Sequence, residues 1–142
     1  MTPAVEVDNR SGWRVDEEAT VRVVAGALAA EAVDGAELGV AYVEPAEMTR
    51  LNAAHRGVDA PTDVLSFPID AGEPLPAGVP RQLGDVVVCP AVAAGDGTPI
   101  ATLLVHGVLH LLGWDHERDA GQMLRRQGEL VPGAGRVDAE PA

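Results

Sequence analysis

The chain contains no lysine: all 10 of its basic residues are arginines, set against 22 acids for a formal charge of -12. Residues 1–20, 21–50 and 51–90 each sum to -3, residues 91–116 to -2 and residues 117–142 to -1, so no segment is a basic patch. Long-range attraction to nucleic acid is therefore excluded as a main source of binding; a polyanion must be met by local arginines, a metal or a partner. Cysteine is almost as scarce. The single Cys89 excludes an internal disulfide and any metal site closed by several thiolates, and it suits a reducing compartment. The aromatics are Trp13, Trp114, Tyr42 and Phe67, too few for an extended base-stacking platform. No apolar run approaches the length of a membrane span, and Met1 to Gly12 carries no apolar signal core, so a cytoplasmic protein without membrane contact is expected. The 142 residues fit one domain, expected over 1–131, with the Gly-, Pro- and acid-rich stretch 132–142 expected as a disordered tail.

What the chain does have is histidine in one place. Three of its four histidines fall in the run His106-Gly107-Val108-Leu109-His110-Leu111-Leu112-Gly113-Trp114-Asp115-His116. His106 and His110, four apart on a predicted helix, project from one face, and Gly113 permits a left-handed exit that can return His116 as a third ligand. Three neutral imidazoles with an open fourth position are the ligand set of a catalytic zinc. The alternative, histidines that merely line a helix and a turn, does not account for ligand register with a glycine at the break. The same spacing occurs in zinc peptidases whose second position is a glutamate acting as general base. Here that position is Gly107, which has no side chain to replace it.

Elsewhere, Ala4 to Val7 reads as a strand and Asp16 as the N-cap of a helix reaching about Glu31. Leu38, Val40 and Tyr42 alternate as on a strand with one buried face, and a short helix is predicted over Pro45 to Ala54. Arg56 to Asp63 reads as a loop leading into the strand Val64 to Phe67. Residues 70–80, rich in Gly and Pro, read as a mobile surface loop, followed by an apolar strand Leu83 to Cys89 carrying Asp85. A turn through Gly95 to Pro99 is expected to launch the histidine helix, with Thr98 as N-cap and Pro99 at its first position. A last helix is predicted over Glu117 to Leu130, with Met123, Leu124 and Leu130 turned inward.

Taken together, Leu51-Asn52, Arg56-Gly57, Pro61-Thr62-Asp63-Val64-Leu65-Ser66-Phe67-Pro68, Leu83-Gly84-Asp85-Val86-Val87-Val88-Cys89 and the histidine run resemble the endoribonuclease YbeY family, in that family's order. The resemblance implies an α/β (α+β) fold: a small mixed four-stranded sheet packed against about four to five helices, with the zinc site on a helix and the following turn. It implies a single-strand-specific, zinc-dependent endoribonuclease of ribosomal RNA maturation, including late small-subunit 16S 3′-end processing, and of ribosome quality control. One zinc would be held by His106, His110 and His116, with Arg56 the functional arginine. The partners implied are single-stranded or ribosomal RNA, with ribosomal proteins or a ribosome-associated GTPase as further candidates. The stretch between Cys89 and His106, Pro90 to Val105, is shorter than the family pattern, which points to a more open cleft beside the metal.

The residue chemistry agrees with hydrolysis at phosphorus. Zinc on three imidazoles lowers the pKa of a bound water from about 15.7 to roughly 7, which removes the need for a glutamate at 107. An arginine fork at Arg56 can stabilise charge growing on two phosphate oxygens, although an ordinary ion pair with Asp59 or Asp63 is the plainer reading of a loop arginine. Asp115 is open between steering an imidazole from behind and forming a turn, and Asp85 between bonding the metal-site loop and a buried structural contact. Ser66 reads as a structural hydroxyl, His55 as an exposed loop histidine and Cys89 as a small buried hydrophobe. A rival reading is a non-catalytic or weakly catalytic ribosome-assembly factor with a stabilising zinc, whose acidic surface meets basic ribosomal proteins. A zinc peptidase ranks last.

Overall fold

The computed structural model describes residues 4–69 and 79–142. The expected surface loop at 70–80 lies outside those residues except for Val79 and Pro80. In chain order the first elements are β1 (Ala4–Asn9), β2 (Trp13–Val15), α1 (Glu17–Ala30), β3 (Ala36–Tyr42), α2 (Pro45–Arg56) and β4 (Val64–Pro68). They are followed by β5 (Arg81–Val88), α3 (Pro90–Asp96), α4 (Ile100–Leu111), α5 (Gln122–Ala134) and β6 (Ala139–Pro141). The chain is thus a mixed α/β fold of the class the resemblance implies. Its four-stranded sheet has the order β1-β3-β5-β4, parallel from β1 to β5, with β4 antiparallel on the edge.

Strand parity decides what each face of that sheet does. Leu38, Val40, Tyr42, Val86 and Val88 point to one face and build the main core with α1 and α4. Val87 and Leu65 point to the other, where Met48 of α2, Val43 and Cys89 cover them. Helix α4 is buried on nearly every side, because the sheet, α1 and α5 all pack against it, and its sequence Ile100 to Leu111 is accordingly apolar all round apart from Thr102 and the histidines. Tyr42, fully buried, shares a 2.7 Å hydrogen bond with Thr20 of α1, and burial pushes its phenol up to about 12.

Helix α1 begins where expected: Asp16 is extended, its Oδ1 accepts the Ala19 N–H at 3.0 Å, and Glu17 and Glu18 occupy the first turn. It closes with Val33 N–H on the Leu28 carbonyl and Ala32 N–H on that of Ala29, which places Ala32 at φ 57°.

Several boundaries differ from expectation for physical reasons. Helix α2 runs two residues further, so Arg56 is its last residue and Gly57, left-handed, its cap. Pro90 starts the unpredicted α3. Thr98 does not cap α4: its N–H donates back to the Ala93 carbonyl, and the extended Pro99 stands at the N-cap. Helix α5 starts five residues later than predicted, because side chains take up the backbone before it: Asp115 accepts the Glu117 N–H, and Asp119 those of Gly121 and Met123. Met123 is buried as expected, but Leu124 is 52% exposed. The stretch expected to be a disordered tail is also corrected. Residues 132–134 finish α5, Val137 enters the core, and β6 pairs antiparallel with β2, because alternate residues find an edge there.

Candidate metal centre

Helix α4 carries His106 and His110 one turn apart, facing the cleft between α2 and the turn that follows α4. Gly113, at φ 97°, reverses the chain: its N–H reaches the His110 carbonyl at 3.0 Å, and the Trp114 N–H reaches that of Leu109 at 3.0 Å. The reversal returns His116 to its two partners. One nitrogen from each ring lies within 4.8 Å of the others, and the ring centroids are 4.7, 5.2 and 5.2 Å apart. Among the described residues this is the one cluster of potential ligands dense enough for a metal.

The electrostatics favour the ligand form. Burial lowers the pKa of His106 below its ordinary 6.5, against the opposing bond to Gln127, and burial likewise lowers that of His110. Both rings are therefore held neutral, the state that binds a cation. The Gln127 side-chain oxygen on α5 accepts from His106 Nδ1 at 2.8 Å, which places that ring's proton on Nδ1 and frees Nε2. No carboxylate does this work. A half-buried set of three imidazoles, one of them oriented from behind and none accompanied by a thiolate, suits a zinc ion with an open position. That donor chemistry fits the predicted metal.

Arg56 reaches the same cleft, a space of about 430 Å³, from the end of α2. Its partner is neither Asp59 nor Asp63. The Arg56 guanidinium, 55% exposed, donates to Glu117 Oε1 at 3.2 Å, across the cleft mouth and one residue past His116. His55 lines the cleft beside it, on α2 and not in a loop, with its ring 4.5 Å from that of Phe67. Ser66 is the expected structural hydroxyl, donating to the Gly107 carbonyl at 3.2 Å. Cys89 is fully buried. No residue of 90–105 lines this cleft.

Of two further predicted site residues, Asp85 lies away from the site, whereas Asp115 lines the cleft. Asp85 is neither buried nor near the histidines: it shares strand parity with Val87, so it faces the exposed groove on the α2 side of the sheet while α4 packs on the other. Asp115 forms a turn, accepting from the Glu117 backbone at 3.0 Å and pairing with Arg118 at 3.5 Å. Gly107 answers the peptidase question. A Cβ there would lie 2.5 Å from Val86 Cγ1 and 3.3 Å from Ser66 Oγ, so the position is pressed on the sheet and has no room for a glutamate.

Sequence reasoning did not find Gln127, Glu117 or Glu31. Gln127 and Glu31 meet the site from distant parts of the chain, and Glu117, though next to His116, pairs with an arginine 61 residues away, so no local spacing marks any of them. A larger hollow of about 580 Å³, between α3, the start of α4 and β6, contains none of the candidate residues.

Comparison with known proteins places these features among relatives. The family description "Endoribonuclease YbeY" matches residues 6–134. A protein of that name from Chloroflexus aurantiacus is 40% identical, with 92% of this chain and 95% of the relative covered. One from Salinispora tropica is 44% identical (90% and 94% covered), and one from Streptomyces coelicolor 37% (92% and 89%). A solution structure of a Thermotoga maritima protein superposes with a TM-score of 0.59 at 23% identity, over 92% of this chain and 88% of that one, which bears on the fold alone.

Proposed function

The chain belongs to the endoribonuclease YbeY family, and from that premise we propose that it is a zinc-dependent, single-strand-specific endoribonuclease acting in the cytoplasm on ribosomal RNA during its maturation. As a member of that family it is a hydrolase of internal RNA phosphodiester bonds. The observation that carries the finer reading is the meeting of three imidazoles and one arginine in a single cleft. Bound zinc would supply Lewis acidity to the scissile phosphate and a water acidified to near neutral pKa.

The protein's own residues do the rest. His106, His110 and His116 would hold the ion, with Gln127 keeping His106 in the tautomer that offers Nε2. Arg56 binds non-bridging phosphate oxygens through its fork and meets the negative charge that grows on them. To do so its guanidinium leaves Glu117, a half-exposed partner it can exchange for phosphate at little cost. Ser66 and Gly107 hold α4 close to β4 and β5, which fixes where the first two ligands stand.

The test is cleavage of labelled single-stranded RNA by purified protein with and without one equivalent of zinc, beside His110→Ala with its metal content measured. Zinc-dependent cleavage absent from His110→Ala is expected; cleavage that survives in a metal-free variant would sink the reading. The charge of -12 favours one rival, an assembly factor that uses zinc for stability and meets basic ribosomal proteins or a GTPase. Arg56→Ala separates the two. We expect at least a hundredfold loss of cleavage, on the order of one lost charge-stabilising donor, with zinc content unchanged; an assembly factor would keep its cellular function.

A further inference from the structure

The turn that delivers His116 is tied to a part of the molecule that no motif of the site includes. Trp114 stands between His110 and His116, and its indole Nε1 donates to Glu31 Oε1 at 2.8 Å, 83 residues away in sequence. The other oxygen of the same carboxylate, Oε2, accepts from Arg126 Nε at 2.9 Å, and Arg126 also donates to the Ala30 carbonyl at 3.0 Å. Neither member of this pair is a loose surface ion: the side chains of Glu31 and Arg126 are 12% and 28% exposed. Arg126 directly precedes Gln127, which orients His106. Glu31 itself is held by the closed end of α1, where its N–H bonds the Ala27 carbonyl and Ala32 takes a left-handed conformation.

We propose that Glu31 is a positioning residue of the metal site, a single carboxylate that clamps Trp114 and Arg126 and so sets where His116 and Gln127 stand relative to His106 and His110. The physical argument is that the last backbone bond tying this segment to α4 is that of the Trp114 N–H to the Leu109 carbonyl, and past it neither the turn that carries His116 nor the helix that carries Gln127 is bonded to α4 through its backbone. Their register with α4 is supplied by side chains. A carboxylate has two oxygens and four acceptor sites, so it can serve an indole N–H and a guanidinium together, which no neutral residue of its size does as well. The inference rests on the metal part of the function proposed above.

It is tested on the full chain by zinc competition against a chromogenic chelator, by the visible absorption of the cobalt-substituted protein, and by thermal melting of the metal-free form. Glu31→Ala is expected to weaken zinc binding by roughly 10–100-fold, the range seen when groups behind a ligand are removed, and to change the cobalt spectrum. Glu31→Gln keeps an acceptor for the indole but loses the pairing with Arg126, and should bind zinc with an affinity between those of the wild type and Glu31→Ala. Trp114→Phe keeps the ring volume without the donor; it should also weaken zinc, and combined with Glu31→Ala should weaken it by less than the product of the two effects. A lowered melting temperature with zinc affinity and cobalt spectrum unchanged in Glu31→Ala, or in Trp114→Phe should the alanine variant not fold, would overturn the proposal. Wild-type protein that binds no zinc would instead overturn the metal reading beneath it.

Discussion

At Gly107 the chain trades a side chain for contact, and the trade has a measurable size. Adding one methyl pushes on Val86 Cγ1 at 2.5 Å in a packed interface, so Gly107→Ala is expected to destabilise by about 1–3 kcal/mol in urea unfolding despite its better helix propensity. A neutral or stabilising result would mean that α4 is free to slide. Glu117 raises the opposite expectation. It places a negative charge beside the arginine proposed to receive phosphate, so Glu117→Gln should lower KM for single-stranded RNA several-fold with kcat little changed. The histidines were legible in the sequence because their spacing is local and helical. Gln127 and Glu117 were not: each meets its partner, 21 and 61 residues away, through tertiary packing that no short pattern encodes. Asp85 was misread for a related reason. An apolar strand covered on both faces gives no parity signal, so the face on which a single acid emerges is settled by its neighbours in the sheet.

Helix α4 shows how an element sets the chemistry of the residues on it. Its burial makes the charged forms of His106 and His110 costly, so both fold with pKa values below the 6.5 of the open chain. Well above pH 6.5 both rings are neutral in the folded and unfolded chain, and their contribution to stability is constant. As pH falls through 6.5 the unfolded chain takes up protons that the folded chain still refuses, and stability drops until the folded values are reached. The urea midpoint of metal-free protein should therefore fall between pH 7.5 and 5.5, with a shallower slope in His106→Asn. A midpoint that rises on acidification contradicts this account. Helices α1 and α4 were legible from Asp16 and from the apolar run. The start of α5 was not, because Asp115 and Asp119 bond the backbone locally and delay the helix.

Across the whole molecule the charge of -12 leaves RNA little to be attracted by, and Arg56 is the one arginine among the described residues that line the metal cleft. Single-strand binding to the isolated protein should accordingly depend weakly on salt, with a slope near -1 to -2 in log affinity against log salt, given about 0.7 per neutralised phosphate. A slope of about -4 or steeper would reveal arginines working together outside the cleft. The C-terminal stretch belongs to the fold: removing 137–142 takes a buried Val137 and the β2–β6 pairing with it, and should cost about 2 kcal/mol of stability. Composition there reads as disordered, since Gly, Pro and acids dominate it. One valine and an available edge outweigh that composition.

The closeness of the ligands along the chain has one more consequence, and it concerns the denatured state. Three imidazoles within eleven residues stay near one another when the fold is lost, so the unfolded chain should keep some hold on a metal ion. A bound metal should then raise the melting temperature by less than its affinity for the folded protein implies. An ion retained through unfolding would also keep the turn around Gly113 partly formed, so that the refolding chain would carry its metal with it.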